Sequence, residues 1–145
     1  MKKLLLILTL TIISYAQMDF NDPQPTFDNP RKWVIKLNTA DEKVVNSTLG
    51  TIYNVLKEYP SEGIKIAVVA YGKGVRVLKK DYDSNTLSRI SSLMDYEVEF
   101  IACKNTMDSM HWKKDDLIED LLYVQAGIAE VIERQVDGYY EVTPY

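Results

Sequence analysis

The 145-residue sequence is poor in cysteine and histidine, with only Cys103 and His111. A single cysteine cannot form an intrachain disulfide, so the fold must rest on a hydrophobic core. One histidine and one cysteine are also too few for a zinc site without carboxylates at suitable spacing. The sequence therefore predicts neither a metal site nor a cofactor.

Excess positive charge is also lacking. The formal net charge is −4, whereas nucleic acids and anionic lipids are bound by clustered Lys and Arg. No segment after residue 13 is apolar enough to cross a membrane. We therefore expect no nucleic-acid partner, and no membrane association once the N-terminal segment described next is removed.

The first sixteen residues have the pattern of a cleavable signal peptide. Lys2 and Lys3 precede an apolar stretch, residues 4–13, that is short for a membrane span. Ser14 and Ala16 supply the small residues expected at a cleavage site, so we expect cleavage after Ala16 and a periplasmic protein. Loss of the two lysines takes the formal charge from −4 to −6. The alternatives are an uncleaved anchor or a buried helix.

The remaining chain divides into an extended, mobile segment, residues 17–32, and one domain, residues 33–145. Strands are predicted at 33–37, 64–70, 98–102 and 122–124, and an edge strand at 139–142. Helical spacing of apolar residues predicts helices over 45–56, 84–94 and 128–135, with short helical pieces at 75–78 and after Asn105. Thr39 and Glu42 have the spacing of a capping box for the first helix, and Asn105 is predicted to cap its own short helix.

Strands that alternate with helices indicate an α/β fold. We predict a three-layer sandwich, with a mainly parallel sheet of about five strands and helices on both faces. Chemistry in such folds gathers at the carboxyl ends of the strands. The turn from Tyr71 to Gly74 and the residue Cys103 both fall there.

Cys103 is the strongest candidate for a catalytic residue. It lies at a junction between a strand and a helix, where backbone N–H groups favour a thiolate over a thiol. The alternative is a small apolar side chain that fills space at the edge of the sheet.

Four further residues are candidates for binding near Cys103. Gly72 and Gly74 permit tight backbone geometry that can present N–H groups to an anion, and Tyr71 can line the same cleft. Asn105 is the fourth candidate, and His111 is a weaker candidate for proton transfer. The alternatives are a plain turn between a strand and a helix, and a surface histidine.

The segment from Glu97 to Met107 resembles a signature of the DsrE/DsrF-like family of sulfur-relay proteins, in which a strand is followed by Cys-x-Asn-Thr and a helix. The segments 64–72, 115–117 and 124–130 agree with it, and the resemblance covers roughly residues 33–144. It implies a compact α/β sandwich that assembles into homotrimers or homohexamers. It also implies a cysteine that carries a persulfide between a donor and an acceptor protein, and Cys103 matches that position. The export signal departs from the relay members, which are cytoplasmic.

Three functions follow as hypotheses. The first is an exported persulfide carrier, sulfurtransferase-like if it acts as an enzyme. The second is a non-catalytic oligomeric module that binds a small ligand, and the third is a redox-sensing thiol protein. We expect subunit contacts to use the apolar side chains that one small core does not need, namely Met107, Met110, Trp112 and the tyrosines near the C-terminus.

Overall fold

The fold alternates strands and helices along the chain, as expected. The computed structural model describes residues 18–144, so the predicted signal peptide lies outside the described residues. The strands are β1 (Arg31–Leu37), β2 (Ile64–Ala70), β3 (Glu99–Cys103), β4 (Leu122–Val124) and β5 (Tyr140–Glu141). The α-helices are α1 (Glu42–Glu58), α2 (Ser84–Asp95), α3 (Lys104–Ser109) and α4 (Gly127–Val136), and 3₁₀ turns cover Gly72–Leu78 and Lys114–Asp116.

The five strands form one sheet in the order β4-β3-β2-β1-β5, and every neighbouring pair is parallel. The predicted sheet was mainly parallel, and the observed one is wholly so. The short β5 lies at an edge, where Trp33 of β1 is in register with Tyr140. The Trp33 indole N–H donates to the carbonyl of Val142 at 2.7 Å and holds the chain beyond β5 against the sheet.

Helices cover both faces of the sheet, but unequally. One face carries the larger core, in which α1, α2 and the 3₁₀ turn after β2 cover Ile35, Val68 and Phe100. The other face carries a smaller core, in which Val131 of α4 packs over strand residues such as Val69. Adjacent strand residues thus point into different cores, as the two-residue period of a strand requires.

Helix α1 has a different cap from the one predicted. Asp41 is the N-cap, and its Oδ1 accepts from the N–H groups of Lys43 at 3.0 Å and Val44 at 3.1 Å. The Thr39 hydroxyl instead accepts from the N–H of Asp41 at 3.1 Å. The capping box of Thr39 and Glu42 was therefore wrong, because Asp41 stands immediately before the first helical residue and its short carboxylate reaches the free N–H groups.

The segment before β1 lies against the domain rather than extending freely from it. The Arg31 guanidinium donates to the carbonyls of Asn21 at 2.7 Å and Pro23 at 2.8 Å. The Phe20 ring packs against the Tyr59 ring with centroids 4.8 Å apart. These polar and aromatic contacts attach the segment to the domain and argue against the mobility predicted for it. Over residues 18–144, no helix has the length and apolar character needed to cross a membrane.

Candidate functional site at the carboxyl end of the sheet

Cys103 lies where two elements meet. It is the last residue of β3 and the N-cap of α3, and only 5% of its surface is exposed. Because β3 lies between β2 and β4, the chain segments that follow those two strands surround Cys103. The predicted junction between a strand and a helix is confirmed, and it forms a buried site rather than an open one.

Hydrogen-bond donors converge on the Cys103 sulfur from two helices. The N–H of Gly127, the first residue of α4, donates to Sγ at 3.2 Å. The N–H groups of Thr106 and Asn105 in α3 and the Thr106 hydroxyl also interact with the sulfur. Sγ lies 3.7 Å from the carbonyl oxygen of Gln125, to which the protonated thiol can donate.

These contacts shift the pKa of the Cys103 thiol. Burial raises the pKa of Cys103, but the hydrogen bonds from Thr106, Gly127 and Asn105 together outweigh it, so the pKa lies below its ordinary value. A donor that points at the sulfur stabilises the thiolate more than the thiol, because the bond is stronger to a charged acceptor. The site therefore stabilises a nucleophilic form of sulfur inside the protein.

Gly72 and Gly74 contribute in different ways from those predicted. The N–H of Gly72 donates to the Thr106 hydroxyl oxygen at 2.9 Å, and the φ of +52° at Gly72 suits glycine. The N–H of Gly74 donates to the carbonyl of Tyr71 at 3.0 Å. Both N–H groups thus have partners within the chain, which argues against their predicted use for an anion.

Gly74 is needed for close packing. A Cβ atom at this position would lie 1.8 Å from the carbonyl oxygen of Leu37, at the end of β1. Gly72 instead holds the hydroxyl that reaches Cys103. Through Thr106, the turn after β2 therefore supports the sulfur indirectly.

Asn105 is near the site but is not a cap. It is the second residue of α3, and its N–H donates to the carbonyl of Gln125 at 3.0 Å. Its Oδ1 accepts from the Gln125 side-chain amide at 2.6 Å. The predicted capping role was wrong, because the helix begins two residues earlier than expected and Cys103 takes the N-cap position. The Asn105 and Gln125 side chains, both exposed, instead form an amide pair at the rim of the site.

His111 is separated from Cys103 by the length of α3. The helix has six residues, about 9 Å at 1.5 Å per residue. Cys103 caps its start, and His111 follows its C-cap, with an exposed side chain and a φ of +56°. This arrangement argues against the predicted role of His111 in proton transfer.

Tyr71 and Gly127 contact the site from the ends of β2 and α4. A Cβ atom on Gly127 would lie 2.9 Å from the Cβ of Tyr71 and 3.3 Å from the Cβ of Cys103. Tyr71 was expected to line the site, whereas Gly127 was not identified from the sequence. Its position between the predicted strand 122–124 and the predicted helix 128–135 was the signal that could have indicated it.

Among residues 18–144, no three or more His, Cys, Asp or Glu side chains are grouped so that they could hold a metal ion. The chemical groups of the site are thus a thiol, backbone N–H groups, a hydroxyl and an amide pair.

The all-parallel sheet and the cysteine at the carboxyl end of β3 define an α/β protein with a buried thiol where an inner strand meets a helix. The sequence profile of the DsrE/DsrF-like family matches residues 37–144, and the chain belongs to that family. It is also similar to the solved structure of MTH1491, a protein of unknown function from Methanobacterium thermoautotrophicum. The two share 30% sequence identity with a TM-score of 0.73, over 79% of this chain and 99% of that one. No curated protein matches the sequence significantly.

Proposed function

We propose that this protein is an exported sulfur carrier in which Cys103 holds sulfur as a persulfide. The Cys103 thiolate attacks the outer sulfur of a donor persulfide, R–S–SH. A new S–S bond forms on Cys103, the S–S bond of the donor breaks, and the donor leaves as the thiolate R–S⁻. The transferred sulfur keeps its proton and its oxidation state, so no oxidant or reductant is consumed.

Release follows the same chemistry in reverse. An acceptor thiolate attacks the outer sulfur of the Cys103 persulfide, takes it as a new persulfide, and returns Cys103 as a thiolate. The cycle needs a good nucleophile that is also a good leaving group. A thiol of lowered pKa meets the second requirement and is ionised at neutral pH to a larger extent than an ordinary cysteine.

The observation that carries this proposal is the hydrogen bond from the Gly127 N–H to Sγ at 3.2 Å, together with the interactions of Thr106 and Asn105 with the sulfur. A cysteine that only filled space would have no need of donors from two helices. Membership of the DsrE/DsrF-like family supports a sulfur-relay type of role. The low exposure of Cys103 favours a small persulfide group over a bulky mixed disulfide. We therefore prefer the carrier hypothesis to the redox-sensor hypothesis.

The test is the intact mass of the mature protein after incubation with inorganic polysulfide. We expect a gain of about one sulfur atom on Cys103, removed by added thiol. Cys103→Ser, which is nearly isosteric, should remain folded and unmodified. If the wild-type protein stays unmodified and also resists iodoacetamide until it is unfolded, Cys103 is structural and the carrier proposal fails.

The same samples separate the alternatives. Mixed-disulfide formation with small thiols, without any sulfur gain, would indicate a redox sensor. A thermal shift with a small anion that persists in Cys103→Ser would indicate a binding module.

A further inference from the structure

Gly127 is the one residue of α4 whose backbone touches the reactive sulfur, and its lack of a side chain has a specific consequence. A helix has free N–H groups at its start, where its dipole also favours negative charge. The first N–H of the ten-residue α4 is directed at Sγ at 3.2 Å. This donor reaches the sulfur only because α4 approaches β3 closely.

The close approach leaves no room for a larger residue. A Cβ atom on Gly127 would lie 2.9 Å from the Cβ of Tyr71, closer than real Cβ contacts, and 3.3 Å from the Cβ of Cys103. Both obstructing atoms are attached directly to the backbone of strand ends, so neither can rotate away. Any side chain here must push the start of α4 away from the sulfur.

We infer that Gly127 is a positioning residue, which brings the start of α4 close to Cys103 and so favours the anionic form of the sulfur. This inference rests on the proposed carrier function and assigns a part of its machinery. The backbone N–H of Gly127 contacts the sulfur. Because Gly127 has no side chain, the start of α4 can lie close enough for this N–H to be 3.2 Å from Sγ.

The surrounding charges are not the cause of this stabilisation. From α3, Thr106 and Asn105 act on the sulfur through hydrogen bonds, as Gly127 does from α4. Tyr71, which follows β2, is the titratable residue that lies next to Gly127. Lys36 of β1, which interacts with Tyr71, already forms an ion pair with Glu141 of β5.

The experiment compares Gly127→Ala with Gly50→Ala. At Gly50, within α1, a Cβ would meet only the Arg89 guanidinium at 3.5 Å, an ordinary contact, so this variant controls for the added methyl group. The rate of alkylation by iodoacetamide is measured against pH. We expect the midpoint of the profile to rise by about one pH unit in Gly127→Ala, as for the loss of one charge-assisted hydrogen bond, and to stay in place in Gly50→Ala. An unchanged midpoint in Gly127→Ala overturns the inference.

A second measurement needs no variant at position 127 and stands even if Gly127→Ala does not fold. In the wild-type protein, the amide proton of Gly127 is followed by NMR as the pH is raised. Its chemical shift should move with the midpoint of Cys103 alkylation, and the movement should vanish in Cys103→Ser. A Gly127 amide that does not respond to ionisation of the thiol contradicts the inference.

The two proposals fail separately, because neither readout involves sulfur transfer. The Gly127 amide shift can follow ionisation of Cys103 in a protein that takes up no sulfur from polysulfide. That result would contradict only the carrier function. Normal sulfur loading together with an unresponsive Gly127 would sink only the positioning role.

Discussion

At the scale of single residues, the site turns on a competition at one sulfur atom. Burial of Cys103 opposes ionisation, and donors from α3 and α4 favour it. Most buried cysteines experience only the first effect and are inert. In Cys103 the hydrogen-bond donors outweigh burial, so the pKa of the thiol is lowered although the sulfur is shielded from solvent.

This competition predicts a link between pH and stability. Because the pKa of Cys103 is lowered on folding, the folded state binds fewer protons than the unfolded chain between the two pKa values. The stabilisation is therefore complete above the ordinary thiol pKa of about 8.5 and is lost as the pH falls through the folded value. Urea unfolding of the wild-type protein and Cys103→Ser, at several pH values from about 6 to about 9, should give a difference in unfolding free energy that grows with pH.

The subtraction removes contributions from other titrating groups, because both proteins contain them. A difference that is flat with pH would mean that folding leaves the thiol pKa unchanged. A difference that falls with rising pH would mean that burial prevails.

The individual residues of the site were only partly predictable. Cys103 was found because a strand pattern ends on it and a helix pattern follows, and both patterns are local. Gly127 was missed because its contact with Cys103 joins residues 24 positions apart, which no local pattern reveals. Asn105 was misassigned as a cap because the helix starts two residues earlier, and helix ends are decided by which side chain or backbone group satisfies the free N–H groups.

At the scale of elements, α4 has two apolar faces. Gly127 and Val131 face the sheet and are buried. Ile128, Ile132 and Val136 recur every four residues on another face, with 49%, 52% and 79% of their surfaces exposed. A helix on the outside of a monomer is expected to be polar on its outer face, so this apolar stripe is an unusual surface.

This stripe bears on the expected assembly. Of the side chains expected at a subunit contact, Met107 and Tyr139 are buried in the protomer, and Trp112 packs on the larger core. The burial of Met107 and Tyr139 in one protomer argues against their predicted place in a contact, whereas Trp112 is only partly buried. Met110 and Tyr140 are exposed, as a contact would require.

We propose that homotrimers or homohexamers form through the outer stripe of α4, and we predict that Ile132→Lys dissociates them. The side chain is half exposed, so lysine should leave the fold of the protomer intact while placing a charge in a desolvated contact. Light scattering at micromolar concentration should show a larger particle for the wild-type protein and a monomer for the variant. Tyr96 is an exposed aromatic residue after α2, and Tyr96→Lys is the matched control. The particle formed by this variant should have the wild-type size. A monomeric wild-type protein contradicts the proposal.

The elements themselves were largely predictable from periodicity. All five strands and the three longer helices lie where the pattern indicated, because their apolar spacing directly reflects which face is buried. The order β4-β3-β2-β1-β5 did not follow from the sequence, since strand order depends on contacts between distant segments. The sequence also did not predict that α4 would be the helix that packs over the smaller core.

At the scale of the whole molecule, the proposed export determines where the thiol works. The mature chain would begin at Gln17, before a segment that Arg31 attaches to the domain. Cys103 would then be held in an oxidising compartment with no second cysteine to pair with.

Export predicts a defined N-terminus. The protein purified from cells should begin at Gln17 and appear in the periplasmic fraction, because a signal peptidase requires the small side chain of Ala16. N-terminal sequencing checks the prediction. Ala16→Arg should block cleavage and leave Met1 in place, while Gln17→Ala should be processed normally. Met1 retained on the wild-type protein would refute the prediction.

The pairing of β5 with β1 also affects the timing of folding. Trp33 and Tyr140, which are in register, lie about a hundred positions apart in the chain, so the sheet gains its fifth strand only when synthesis is nearly complete. Contacts of such long sequence separation form slowly, because a large loop must close before any bond forms. Until then one edge of β1 has unpaired backbone groups and can pair with other chains. If the protein is exported as proposed, this late folding would keep the nascent chain unfolded for passage through a narrow translocation channel, and the unpaired edge of β1 would need protection during the delay.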